Sequence, residues 1–181
     1  IIKDIYYGNL GIGPLDKKIL KEKVTAKNPP LIVHATTNKK IKGTYEIENT
    51  LDKLKKDGYK FKYKRIENMP NHEAQEYYRN ADIIINHIFL GSFGTFAVEG
   101  MYYGKPVVGY LVNDPNGEIF KSVPIYNANK ENLYEKIGDL IGNPELRIEL
   151  GEQGKKYVKE NFDSDKLSNQ IIDIYYELMG N

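Results

Sequence analysis

Residues 82–111 read "DIIINHIFLGSFGTFAVEGMYYGKPVVGYL". The stretch opens on three consecutive isoleucines, apolar without alternation, the pattern of a parallel strand covered on both faces. It closes on a second such run, "PVVGYL" (106–111). Between them, residues 91–94 ("GSFG") read as a loop leaving the carboxyl end of the first strand, and Thr95 to Tyr103 as a helix. Gly104-Lys105-Pro106 stops that helix and resets the chain for the next strand. Strand, glycine loop, helix and strand in this order form the repeating unit of an open α/β sheet, and such sheets bind ligands at the carboxyl ends of their strands.

The same alternation extends outward. "LIVHA" (31–35) reads as a strand, "TYEIENTLDKLKKDG" (44–58) as an amphipathic helix with Ile47, Leu51 and Leu54 on one face, and "YKFKYKRI" (59–66) as an alternating strand. "NHEAQEYYRNA" (71–81) is helical, and a last short strand falls near "VPIY" (123–126). The tail is helical throughout, with breaks and caps at Asn143-Pro144 and Asp163. The expected fold is a doubly wound, Rossmann-like parallel sheet with helices on both faces and a helical C-terminal tail. Residues 1–29 read as a lead-in strand and linker closed by "KNPP", and residues 30–181 as the domain. The order of glycines in "GNLGIG" (8–13), with Pro14 and a short lysine-rich helix after it, favours a loop over a dinucleotide fingerprint.

Composition narrows the function. At 181 residues the chain suits one domain, and its formal charge of +1 provides no global field for nucleic acid. No apolar run approaches the roughly 20 residues of a membrane-spanning helix. Zero cysteines exclude disulfides and thiolate catalysis, and a cytoplasmic setting is the expectation. The chain starts at Ile1 rather than Met, so it is expected to be part of a longer protein. Only three of the 26 cations are arginines, so an anion site has to use lysines and backbone amides.

Residues 91–99 suit that task. Glycines 91 and 94 allow close backbone approach, and the first amides of the helix, at Gly94, Thr95, Phe96 and Ala97, point out of its positive end. A phosphate there needs no arginine. Glu99, one turn further on, can accept hydrogen bonds from vicinal hydroxyls, for which ribose is the obvious source. The alternative is a tight glycine turn with a surface glutamate.

This combination resembles a known family. "FGTFAVEGMYYGKPVV" (93–108) looks like the donor-site signature of GT-B glycosyltransferases of the group 1 type, and the resemblance runs in register from about Pro30 to Tyr175. "IVHATTNKKIKGT" (32–44) is similar to the family's first strand and its lysine-bearing loop, and "NPELRIELGEQGKKYVKENFD" (143–163) to its penultimate helix. The resemblance implies one half of a GT-B fold, the C-terminal domain that binds a nucleoside diphosphate sugar. Glu99 is then implied to bind the ribose, the amides of Gly94 to Ala97 the diphosphate, and Lys42 the phosphate charge. The loop bearing Ile66, Glu67 and Met69 is implied to lie beside the base. The partner implied is an N-terminal acceptor domain, with no cofactor, no metal, no nucleic acid and no transmembrane segment. Two features depart from the family pattern. Gly91 stands where many retaining members carry a first glutamate, and Asn38, Lys39 or Lys40 has to replace an arginine that many relatives place in this loop.

The remaining candidates are scattered. His34 and His87 end strands at the ligand-facing edge, where each is a catalytic or sugar-contacting imidazole or a hydrogen-bonded structural one. His72 reads as a surface residue. The histidines lack metal-ligand spacing, and "DPNGE" (114–118) is turn chemistry before it is a sugar-facing loop. The expected function is therefore transfer of a sugar from a nucleoside diphosphate sugar to an acceptor hydroxyl, with this half inactive alone. The alternatives are a UDP-sugar 2-epimerase of related fold and a non-catalytic nucleotide-binding module. A nicotinamide dehydrogenase fits less well, because the fingerprint glycines and the acidic end of the second strand are missing.

Overall fold

The computed structural model describes residues 15–112, 120 and 122–162, with residues 172, 173, 175, 176 and 179 near the C-terminus. The elements run α1 (Lys17–Lys21), β1 (Leu31–Ala35), α2 (Lys39–Lys42), α3 (Thr44–Lys56), β2 (Lys62–Ile66), α4 (Asn71–Asn80), β3 (Ile83–Ile85), α5 (Thr95–Tyr102), β4 (Val107–Gly109), β5 (Ile125–Asn127), α6 (Leu133–Gly142) and α7 (Pro144–Asn161). The five strands form one sheet in the order β2-β1-β3-β4-β5, and every neighbouring pair is parallel.

Burial follows from that order. β3 and β4, inside the sheet, are buried at every position, whereas β2 at the edge keeps Lys62 exposed. Ile47, Leu51 and Leu54 of α3 and Leu133, Ile137 and Leu140 of α6 cover one face, packing on Ile32, Ile83 and Ile85. Ala74 and Tyr78 of α4, the apolar side of α5 and Val158 of α7 cover the other, on Val33, Ile84 and Val107. The sheet is thus a doubly wound, Rossmann-like layer with helices on both faces.

Two boundaries depart from the sequence reading. The second strand starts at Lys62, not at Tyr59, because Gly58 (φ 94°) ends α3 with a left-handed turn in which Tyr59 N–H donates to Leu54 O at 3.0 Å. The short α2 was not expected; Asn38 caps it, and Gly43 (φ 73°) both ends it and turns the chain into α3. A side chain at Gly43 has no room, since a Cβ there meets Ile88 Cγ1 at 2.5 Å.

The lead-in segment is not a strand in residues 15–28. Asp16 caps α1, and the stretch after it lies against the domain. Arg147 of α7 donates to Lys27 O (2.8 Å) and Asn28 Oδ1 (2.9 Å), and Lys155 donates to Ile19 O (2.8 Å). Buried Asp82 accepts from the amides of Lys27 (3.0 Å) and Leu31 (2.9 Å). The "GNLGIG" loop, the "DPNGE" turn, the Asp163 cap and most of the last expected helix lie outside the described residues.

Candidate functional site

Strand order reverses between β1 and β3, so the loops that follow these two strands part and leave a crevice at their carboxyl ends. A cleft of about 420 Å³ opens there. Its walls are Ala35 at the end of β1 with Thr36 and Thr37 after it, Lys42 of α2, Ile66 at the end of β2 with Glu67, Asn68 and Met69 after it, Asn71, Gln75 and Tyr78 of α4, and Thr95, Phe96 and Glu99 of α5.

One end of the cleft is electropositive. The amides of Thr95 and Phe96 open α5 and have no acceptor among the described residues, while Gly94 O receives the amides of Ala97 (3.0 Å) and Val98 (3.3 Å). Lys42 of α2 lines the same cleft. Its ammonium donates to Ala35 O at 3.2 Å and lies 5.9 Å from the Phe96 ring centroid, and partial burial lowers its pKa. An ammonium near a helix N-terminus is an arrangement that attracts an anion.

Glu99 lies one turn further along the cleft. Burial raises its pKa, and Gln75 Nε2 approaches its Oε1 at 3.5 Å. At the other end, Glu67 is held by Lys39 Nζ (3.1 Å) and Arg65 Nε (3.3 Å), and Arg65 is held in turn by Glu48 (2.7 Å). Asn68 adopts a left-handed φ of 52°, which turns the loop between Glu67 and Met69 along the cleft wall.

Several expected residues fall elsewhere. Ala97 is core, and its amide donates inside the helix turn to Gly94 O. Asn38 is exposed and spends its Oδ1 capping the Ile41 amide at 3.1 Å. Of the proposed arginine substitutes, Lys39 is paired with Glu67 and Lys40 is exposed. Gly94 caps α5 but is not part of the cleft wall. Gly91 has a φ of 64°, and a Cβ there meets Val112 Cβ at 3.1 Å, so the local backbone favours glycine at the position where the family resemblance implies a glutamate. His72 is an exposed surface residue.

His34 is fully buried and outside the cleft wall. Its Nδ1 donates to Ile85 O at 2.8 Å, which leaves Nε2 to accept from Thr44 Oγ1 at 2.9 Å. Burial brings its pKa down to about 4. Between about pH 6.5 and 4 the unfolded chain therefore binds a proton that the folded chain refuses, and stability falls as pH drops through that window. The expected loss is about 3 kcal/mol. Urea unfolding at pH 7 and pH 4 should show it, and His34→Gln should remove that part of the acid sensitivity; equal pH dependence in both proteins contradicts the account. His87 is also buried and has a lowered pKa through burial and the neighbouring Lys42 charge, but its Nδ1 lacks a partner among the described residues.

The sequence reading missed the α4 wall and Thr36. Asn71, Gln75 and Tyr78 lie at helical spacing (i, i+4, i+7), which marks one face of α4 but does not indicate that the face borders a ligand cleft.

Comparison with known proteins agrees with this architecture. The profile of the family described as glycosyl transferases group 1 matches residues 22–157. The chain belongs to that family. It is 28% identical to a trehalose synthase of Pyrococcus horikoshii over 154 residues, 83% of this chain and 36% of the relative. It is also 28% identical to an uncharacterized glycosyltransferase of Methanocaldococcus jannaschii over 194 residues, 84% of this chain and 55% of the relative. The chain thus spans only about a third to a half of the length of these relatives. Among solved structures, Anabaena HepE in complex with UDP-glucose superposes with a TM-score of 0.62 at 14% identity, over 83% of this chain and 49% of the neighbour. The C-terminal domain of a group 1 glycosyltransferase from Francisella tularensis superposes with a TM-score of 0.54 at 17% identity, over 88% of this chain and 97% of the neighbour. The fold is one Rossmann-like half of a GT-B glycosyltransferase.

Proposed function

We propose that this domain binds the nucleoside diphosphate sugar of a glycosyltransferase, and that the whole enzyme, with an acceptor-binding domain across the cleft, transfers the sugar to an acceptor hydroxyl. The observation that carries the reading is one cleft that holds the Lys42 ammonium, the Thr95 and Phe96 amides, which have no acceptor among the described residues, and Glu99 one turn beyond. Family membership and neighbours whose structures hold UDP or UDP-glucose support a nucleoside diphosphate as the common ligand part. Glu99 accepts from the ribose hydroxyls, the residue 66–69 loop borders the base, and Lys42 with the α5 amides holds the diphosphate.

Glycosyl transfer leaves negative charge on the departing diphosphate. Donors fixed in place before the reaction stabilise that charge without reorganising, which lowers the barrier. The domain's chemical task is to hold the leaving group, and this role calls for no cofactor. Neither strand-end histidine lines the cleft; His34 has both ring nitrogens engaged, and His87 is buried.

Calorimetric titration with UDP, GDP and ADP tests the reading. One of them is expected to bind, and Glu99→Ala to weaken it by about 1.5–3 kcal/mol, the range for hydrogen bonds to a charged group. Binding by the unsubstituted chain that Glu99→Ala leaves unchanged sinks the assignment of Glu99.

A further inference from the structure

Thr36 follows β1 and is fixed through its backbone, its N–H donating to Ile66 O at 3.0 Å. Its side chain has no such anchor. The residue is 3% exposed, and among the described residues Oγ1 has no hydrogen-bond partner. A buried hydroxyl without a partner costs stability, and folded proteins leave few of them. Asn86 Nδ2 and His87 Nδ1 are also unpartnered, but neither residue lines the cleft. Thr36 does. It directly follows Ala35, whose carbonyl receives the Lys42 ammonium, and it shares the cleft wall with Thr95 and Phe96.

We propose that the Thr36 hydroxyl is a ligand-binding donor that completes the phosphate end of the cleft. Among the described residues nothing holds the hydroxyl. A turn about χ1 carries the hydroxyl to another staggered position on Cβ and lets the O–H donate to a diphosphate oxygen beside Lys42. The chemistry matches, because phosphate oxygens only accept and a threonine hydroxyl has one proton to give. The inference rests on the donor-site reading above and adds to it a residue that stabilises the bound state at a cost to the free one.

Thr36→Val keeps the side-chain shape and removes the hydroxyl, and Thr36→Ser keeps the hydroxyl. Calorimetry on both, with whichever of UDP, GDP and ADP binds tightest and with its parent nucleoside, tests the proposal. Thr36→Val is expected to weaken diphosphate binding about tenfold, to leave nucleoside binding unchanged, and to melt no lower than the parent chain without ligand. Thr36→Ser should bind within about twofold of the parent. Unchanged diphosphate affinity in Thr36→Val overturns the proposal. So does an equal loss for nucleoside and diphosphate, or a lower melting temperature, which makes the hydroxyl structural. If Glu99→Ala weakens binding and Thr36→Val does not, the donor site stands and this inference alone falls. If the parent chain binds no nucleotide, the donor-site reading falls first.

Discussion

Lys42→Met is expected to weaken nucleoside diphosphate binding by about 2–5 kcal/mol, the range for removing one member of a desolvated charge pair, while leaving the fold as stable as before. The two halves of this expectation have one cause. The Lys42 ammonium is partly withdrawn from water, which lowers its pKa, and among the described residues it donates one hydrogen bond, to Ala35 O at 3.2 Å. Methionine keeps most of the apolar stem beside Phe96 and removes a charge that the folded chain only partly solvates. The linkage has a definite sign. Binding needs the charged form, so affinity declines as pH rises through the lowered lysine pKa, earlier than for an ordinary lysine, and Lys42→Met should lack that decline. Titration from pH 7 upward on both proteins checks this. Equal affinity in the two would remove Lys42 from the site.

Arg147→Ala is expected to destabilise the domain by about 3–5 kcal/mol, because it leaves several buried oxygens without a donor at about 1–3 kcal/mol each. The side chain is 1% exposed, and its guanidinium donates to the carbonyls of Leu140, Ile141 (3.1 Å) and Lys27 (2.8 Å) and to Asn28 Oδ1 (2.9 Å). Truncation leaves those acceptors short of a donor, and it releases the segment before β1 from the end of α6. Arg147→Lys should recover little, because one ammonium cannot reproduce a planar fork that spans both elements. For a chain of this size the loss corresponds to a melting temperature lower by roughly 10 °C. A drop of under about 1 kcal/mol would mean that water replaces the guanidinium there and that the clamp contributes little.

How far such features can be read from the sequence depends on whether they are local. The run Ile83-Ile84-Ile85 and the glycine loop before Thr95 mark the strand, the turn and the ligand-facing helix end, because period and turn chemistry act over a few residues. Glu99 follows once that end is known, whereas Lys42 comes from the family resemblance alone. The roles of His34 and Arg147 do not follow, since their partners lie 10 and 51 residues away for His34 and up to 120 for Arg147. An arginine on an amphipathic helix reads as solvated until the packing of the lead-in segment buries it. Ala97 shows the limit within a helix start: four amides are formally free at an N-terminus, yet the Gly94 carbonyl, which already takes the Val98 amide, takes the Ala97 amide as well. Gly91 is legible only as a turn glycine, and its left-handed φ of 64° is what makes glutamate a poor substitute there.

The central claim is that a nucleoside diphosphate binds at the start of α5. Backbone amide chemical shifts of the isotope-labelled chain, followed during titration with UDP, GDP and ADP, locate the ligand directly. The largest changes are predicted at Thr95 and Phe96, with smaller ones at Thr36 and Lys42. The opposite end of the sheet supplies the control, a cavity of about 190 Å³ beside Lys27, Lys105 and Lys155 that is also rich in cations. Changes concentrated around Gly104 and Lys105 while Thr95 and Phe96 stay still would contradict the account.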